Sequence, residues 1–283
     1  MHKKQIILLS LAALLLLTAV IIICFYINKS SEDFGNAEFI FAGTQNDADC
    51  TILISEDKCV LVDTGEARDA SHIIDILNEK NIKVINYIIL THPDKDHIGG
   101  ASEILNNYKV EKIITPDYRG KGKEEYRNLI LKAESDGIPV CTLKKEDLIQ
   151  CGNLNIQIFP PERNDYKKSN DYSLAITVNH MDVSMFMAGD AEKERLGEIL
   201  NSDLPKMPDL YKTAHHGRNS KRGAELIEKL APKNAIVTSK APEEKIAQAF
   251  KKAGTEVYTT VGKDIFFISD GKKLKLEKTR PLI

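Results

Sequence analysis

The chain has five cysteines in 283 residues and no CxxC pair among them. That spacing is the usual signature of thiolate ligation of zinc, so its absence argues against a cysteine-bound metal. Cys50 and Cys59 flank an expected hairpin turning near Glu56-Asp57. A tight turn leaves them several residues out of register, beyond the roughly 7 Å between Cα atoms that a disulfide tolerates. Cys141 and Cys151 are free to pair, although nothing in the sequence demands it. Charge of one sign is lacking too: 39 basic residues face 41 acidic ones, for a net charge of −2. Such a balance gives no global electrostatic pull toward nucleic acid. Basic runs at Arg119-Gly120-Lys121-Gly122-Lys123 and from Arg218 to Arg222 remain, but runs of this kind are more often solvated loops than phosphate tracks. No low-complexity linker interrupts residues 38–283, which read as one domain. The loops 115–123 and 160–170 carry no substrate signature.

What is present begins with an apolar run. Gln5 to Ile27 is 23 residues without a charge, dominated by Leu, Ile and Ala. At about 1.5 Å rise per residue a helix of that length covers roughly 35 Å, enough to cross a bilayer with some tilt. Lys3 and Lys4 precede it, so the positive-inside tendency leaves residues 1–4 as a cytoplasmic tip and the remainder outside. A cleaved signal peptide is the rival reading. The run exceeds the roughly 7–15 residues of a signal core, and no small-x-small cleavage site follows. The expectation is a single-pass plasma-membrane anchor over 5–27, a polar tether over 28–37 and an extracellular domain over 38–283. Without residues 1–27 the chain keeps 37 of its 39 basic residues and all 41 acidic ones, net −4.

Beyond the tether, short apolar runs alternate with helical spacing. Thr51–Ile54 and Cys59–Val62 read as an antiparallel hairpin, Asp69 to Lys80 as a helix, and Tyr87–Leu90 as a buried strand. The second half repeats the theme without repeating the sequence. Leu174–Val178 and Val183–Met187 form a hairpin, followed by helices over Glu192–Leu200, Arg222–Leu230 and Lys245–Lys252 with strands between them. Two β-rich halves with interspersed helices predict an α/β fold, two sheets inside and helices outside.

The chemistry concentrates at strand ends. Thr91-His92-Pro93-Asp94-Lys95-Asp96-His97-Ile98-Gly99-Gly100 places two imidazoles and two carboxylates within six residues, directly after Tyr87–Leu90. A strand end holds its backbone rigidly while the loop beyond aims side chains at one point, as a metal site requires. Asp63 in Val62-Asp63-Thr64-Gly65, Asn170-Asp171-Tyr172-Ser173, Gly189-Asp190 and His215-His216-Gly217 sit at comparable positions. Each alone reads equally well as a turn. Their joint occurrence does not.

These motifs, in this order over roughly residues 38–276, resemble the metallo-β-lactamase fold superfamily. The likeness is greatest to the hydrolase domain of ComEC-type DNA-uptake proteins. The resemblance implies a four-layer αββα sandwich with a two-metal site along one edge. It places His92 and Asp94 on the first metal, Asp96 and His97 on the second, and Asp190 between both. One histidine of the 215/216 pair completes the second site; His215 is favoured, which leaves His216 as the group that donates to the leaving group or holds substrate. Asp63 is expected to orient ligands. Asp96, His216 and Asp63 are thus the residues on which catalysis is expected to depend most. Two departures stand out. Asp94 occupies a position where many members have histidine, although ComEC-like members carry aspartate there. The usual histidine of the third motif is absent, with Asn170–Ser173 in its place. Asp94, Asp96, Asp190 and a hydroxide supply four negative charges against two divalent ions. Such an oxygen-rich neutral site predicts that manganese serves at least as well as zinc.

The leading functional expectation is a membrane-anchored extracellular two-metal phosphodiesterase or nuclease. A second is the same chemistry on a choline-phosphate ester, a lactone or a β-lactam, and a third is a binding module without activity. DNA uptake itself does not follow, because the multi-span channel and OB-fold of ComEC proteins are missing from this chain.

Overall fold

The computed structural model describes Leu17, Thr18 and residues 35–282. The expected tip over 1–4, the anchor over 5–27 apart from Leu17 and Thr18, and the tether as far as residue 34 lie outside the described residues. Among the described residues no helix is long and apolar enough to cross a membrane.

From residue 35 onward the chain builds two large mixed sheets. The first contains β1 (Ala37–Phe41), β2 (Thr51–Ser55), β3 (Lys58–Val62), β5 (Tyr87–Ile89), β7 (Ile113–Pro116), β8 (Val140–Leu143), β16 (Lys263–Ser269) and β17 (Leu274–Pro281). Their spatial order is β17-β16-β1-β2-β3-β5-β7-β8. The second contains β9 (Asp147–Cys151), β10 (Leu154–Phe159), β11 (Ala175–His180), β12 (Val183–Met187), β13 (Leu210–Lys212), β14 (Asn234–Val237) and β15 (Glu256–Thr259). Their order is β15-β14-β13-β12-β11-β10-β9. A small ribbon pairs β4 (Val84–Ile85) with β6 (Lys109–Val110).

Each large sheet is antiparallel where hairpins join its strands and parallel where helices do. In the first sheet α1 (Ala70–Glu79) connects β3 to β5. Two shorter helices, α2 (Lys95–Ile98) and α3 (Ala101–Asn107), lead to β7, and α4 (Glu124–Ser135) leads to β8. In the second, α5 (Lys193–Asn201), α6 (Lys221–Leu230) and α7 (Glu244–Ala253) make the crossovers from β12 through β15. Parallel neighbours need such long connections, and a helix laid on the sheet face is the usual one.

Alternation along the strands sets the layers. On β3, Cys59 and Leu61 pack with Ile73, Ile76 and Leu77 of α1, while Val60 and Val62 face the other way. On β12, Met185 and Met187 join Val60 and Val62 between the sheets, and Phe186 packs with Leu226 and Ile227 of α6. Three apolar cores therefore separate four layers: helices, sheet, sheet, helices. Cys50, Cys59, Cys141 and Cys151 are free thiols. Ile54, not Cys50, lies opposite Cys59 in the hairpin, in line with the register argument.

Two strands of the large sheets, and β4 of the small ribbon, escaped the sequence reading. β8 and β9 lie at sheet edges, where Leu148 stands 66% exposed, so neither presents the buried apolar run by which central strands are recognised. The ends of β3, β5, β12, β13 and β14 meet at one edge of the sandwich. In parallel sheets the carboxyl ends of strands are where ligand sites gather.

Candidate metal centre

Asp63 follows β3 directly and takes a left-handed backbone, φ +60°. Aspartate tolerates that conformation better than most residues. It turns the carboxylate across to the end of β5, where Oδ1 accepts the Thr91 amide and Oδ2 accepts the Thr91 hydroxyl, both at 2.7 Å. Oδ2 also lies 2.7 Å from His97 Nδ1. A carboxylate can only accept, so His97 carries a proton on Nδ1 and leaves Nε2 as the nitrogen that faces the other side chains.

The loop after β5 is tight because Gly99 and Gly100 let backbones touch. A Cβ at Gly100 would lie 2.2 Å from the Thr64 carbonyl oxygen, and one at Gly99 would lie 2.5 Å from that of Lys95. Thr64 closes the contact, with its amide 2.6 Å and its hydroxyl 3.0 Å from the His97 carbonyl oxygen. The second sheet delivers Asp190 through Gly189, which has φ +51°, and the Ser173 hydroxyl accepts the Asp190 amide at 3.0 Å. Asp171 caps the start of α5 through the amides of Glu192 and Arg195. The Asn170–Ser173 segment thus props the Asp190 turn.

Around this frame the side chains converge. His97 Nε2 lies 3.2 Å from Asp190 Oδ1 and 3.7 Å from Asp96 Oδ2. His216 Nε2 lies 3.0 Å from Asp190 Oδ2 and 3.3 Å from Asp96 Oδ2. His92 packs on His97 with ring centroids 4.1 Å apart, and its Nε2 lies 4.0 Å from Asp94 Oδ1. Lys123 completes an ion pair with Asp94 at 2.7 Å. Asp96, His97, Asp190 and His216 offer ligand atoms that all fall within 4.8 Å of one another. Among the described residues the buried atoms His92 Nε2, His97 Nε2, His216 Nε2 and Asp190 Oδ1 have no hydrogen-bond partner. Buried polar atoms without partners are costly, and several aimed at one point fit a cation that would satisfy them together.

Where the sequence favours His215 as the partner of the carboxylates, the structure brings His216 to them instead. His215 and His216 both have left-handed backbones, φ +50° and +52°, so the chain reverses between them. His216 enters the buried cluster, with Nδ1 2.9 Å from the Thr238 hydroxyl at the end of β14. His215 stays half-buried at the rim, its Nε2 3.4 Å from Asn170 Nδ2.

Titration follows from these contacts. Burial, helped by the His97 charge, lowers the proton affinity of His92 to a pKa of about 3. Burial also opposes charge on His97, yet the Asp190 and Asp63 carboxylates raise it well above the ordinary imidazole range. The same contest on His216, with Asp190 dominant among the carboxylates, ends in a raised value. Burial disfavours charge on Asp190, but His216 and His97 hold it far below a usual carboxylate. Burial lowers His215, whose partners are weaker.

Two buried residues at the site carry no motif. Asp49 lies behind the imidazoles, and Lys212 at the end of β13 contacts Asp49 Oδ2 and lies 3.9 Å from Asp190 Oδ1. Burial pushes the Lys212 ammonium down to about 7. A charged residue at a strand position that alternation assigns to the core was the available signal for Lys212.

Residues 43–237 match the family described as the metallo-beta-lactamase superfamily. The chain is 30% identical over 224 residues to the ComE operon protein 3 of Bacillus subtilis, covering 71% of this chain and 29% of that one. It is 31% identical over 194 residues to the recombination protein 2 of Haemophilus influenzae, covering 67% and 22%. It therefore spans less than a third of the length of these curated relatives. Among solved structures, the metallo-beta-lactamase fold protein YhfI of Bacillus subtilis superposes with a TM-score of 0.57 at 11% identity, over 83% of this chain and all of that one.

Proposed function

Because the chain belongs to the metallo-beta-lactamase superfamily as a metal-dependent hydrolase, we propose that it is a two-metal phosphodiesterase, anchored by residues 5–27 with its hydrolase domain outside the membrane. The observation that carries the reading is the convergence of His97 and His216 on Asp96 and Asp190, with His92 and Asp94 alongside. His92 and Asp94 would hold one divalent ion and Asp96, His97 and His216 the other, with Asp190 shared. The donor set has three imidazoles and three carboxylates, which suits zinc or manganese. Bound ions would supply Lewis acidity, lowering the pKa of water and neutralising charge on a phosphoryl oxygen.

The chain's own groups do the rest. Asp63 fixes the His97 tautomer. His215, at the rim and with its proton affinity lowered by burial, is placed to contact substrate or to take a proton from water and relay it to the leaving group. Lys123, beside Asp94, and the neighbouring Arg119 and Lys121 offer cations for a phosphate, as a point charge does. The similarity to ComE operon protein 3 and recombination protein 2 supports a nucleic-acid phosphodiester over other esters. Lys3 and Lys4 before a charge-free run support the anchor and its orientation.

The test is cleavage of bis-p-nitrophenyl phosphate, plasmid and oligonucleotide by the full-length protein with Mn²⁺ or Zn²⁺, with Asp96→Ala as control. Metal-dependent cleavage of all three, lost in the variant, is expected. Cleavage of the small diester alone would remove the nuclease assignment. Metal-loaded protein inactive on every phosphodiester would leave a different ester, such as a lactone, a β-lactam or a choline-phosphate ester, or a binding role.

A further inference from the structure

Lys212 stands where the alternation of its strand calls for an apolar side chain. On β13, Leu210 packs between the two sheets and Tyr211 packs against the helices. Two residues beyond Leu210, Lys212 shares its side of the sheet and is buried there. An ion in such a place is costly, and an apolar residue of similar length would fill the space without that cost. Its neighbours explain the charge. The ammonium contacts Asp49 Oδ2 and lies 3.9 Å from Asp190 Oδ1.

Asp49 in turn stands behind both central imidazoles. Its Oδ1 lies 3.3 Å from His216 Nδ1 and its Oδ2 lies 3.6 Å from His97 Nδ1. Its own backbone is pinned at the same place: the amide donates to the Asp96 carbonyl at 3.1 Å, and the carbonyl accepts from Gly65 at 2.8 Å. The arrangement resembles Asp63 behind His97, with a carboxylate on the Nδ1 side and Nε2 facing the cluster, but the Asp49 oxygen stands off at 3.3 Å and makes no hydrogen bond. Thr238 alone would not impose it, since a hydroxyl both donates and accepts and would suit either tautomer of His216.

We propose that Asp49 and Lys212 form a charge-paired brace behind the metal centre, in which Asp49 fixes His216 as an Nε2 ligand and Lys212 fixes Asp49 and restrains Asp190. Lys212 is a positioning residue; it needs no contact with substrate. It also sets an amine beside a cluster of five carboxylates, those of Asp49, Asp63, Asp94, Asp96 and Asp190. The inference rests on the reading of His216 and Asp190 as metal-holding groups.

The test uses the full-length protein with Co²⁺ and Zn²⁺ as probes. Affinity is measured by competition with a chromophoric chelator, and imidazole ligation by the visible spectrum of bound Co²⁺. Lys212→Met and Asp49→Asn are each expected to weaken one of two bound ions by about 10–100-fold and to change the Co²⁺ spectrum. The double variant, which removes both charges together, should lose no more than the worse single. Should Lys212→Met fail to fold, Asp49→Asn and the neutral double variant still carry the comparison. Wild-type affinity and spectrum in Asp49→Asn, or losses that add in the double variant, would overturn the brace. Wild-type protein that takes up neither ion would overturn the metal reading itself, which separates the two failures.

Discussion

His216 Nε2 lies 3.0 Å from Asp190 Oδ2, while its neighbour His215 faces Asn170 at the rim. Two adjacent histidines thus have separate tasks. His216→Ala should remove one of two bound ions and lower activity to background. His215→Ala should keep both ions and lower kcat by about 10²-fold, the range of a lost proton donor. Metal content beside steady-state rates checks both; loss of metal from His215→Ala alone would reverse the roles.

Asp63→Asn keeps shape but offers His97 Nδ1 an amide in place of a carboxylate. Metal affinity should fall by about 10–100-fold. The Thr91 amide and hydroxyl bonds to the same carboxylate weaken with it, so a lower melting temperature should accompany the change. Isothermal titration and thermal unfolding measure the two effects.

The histidines give stability a pH dependence whose sign depends on metal. In metal-free protein, His97 and His216 have folded pKa values above their unfolded ones. Their contribution is complete below about pH 6.5, the unfolded value, and is lost as pH rises through the folded values. His92, with a folded value of about 3, acts oppositely and removes stability as pH falls from about 6.5 toward 3. Lys212, lowered to about 7 in the fold, opposes the histidines between pH 7 and 9, so it is metal-free Lys212→Met protein that should melt at a lower temperature at pH 9 than at pH 7. Metal binding requires the protons to leave, so affinity should rise over the same interval. Melting curves of that variant with and without Zn²⁺ at both pH values check the crossing, and parallel shifts would contradict it.

Gly100→Ala places a methyl group 2.2 Å from the Thr64 carbonyl oxygen. Neither backbone can yield without moving the loop that presents His97, so the substitution should cost about 1–3 kcal/mol and weaken metal binding as well. Chemical denaturation measures the first and chelator competition the second.

The legibility of this molecule in its sequence varied with the kind of signal. Asp63, His92, Asp94, Asp96, His97 and Asp190 announced themselves as polar residues at the ends of apolar runs, and the structure brings them to one edge. Central strands were legible for the same reason, because burial on both faces makes them continuously apolar. The half-exposed edge strands β8 and β9 gave no such run. Asp49 was hidden because Asn46-Asp47-Ala48-Asp49 reads as a turn, and Lys212 because one lysine in a short strand is read as surface. The choice between His215 and His216 was not legible at all. It depends on two successive left-handed residues, a backbone property that the pair His-His does not specify.

The most direct measurement is the metal content of full-length protein after equilibration with Zn²⁺ or Mn²⁺ and removal of free ions, beside that of Asp96→Ala. The account predicts about two ions per chain in the wild type and fewer than two in the variant. A wild-type chain that retains none, or an Asp96→Ala variant that retains as many as the wild type, would contradict it.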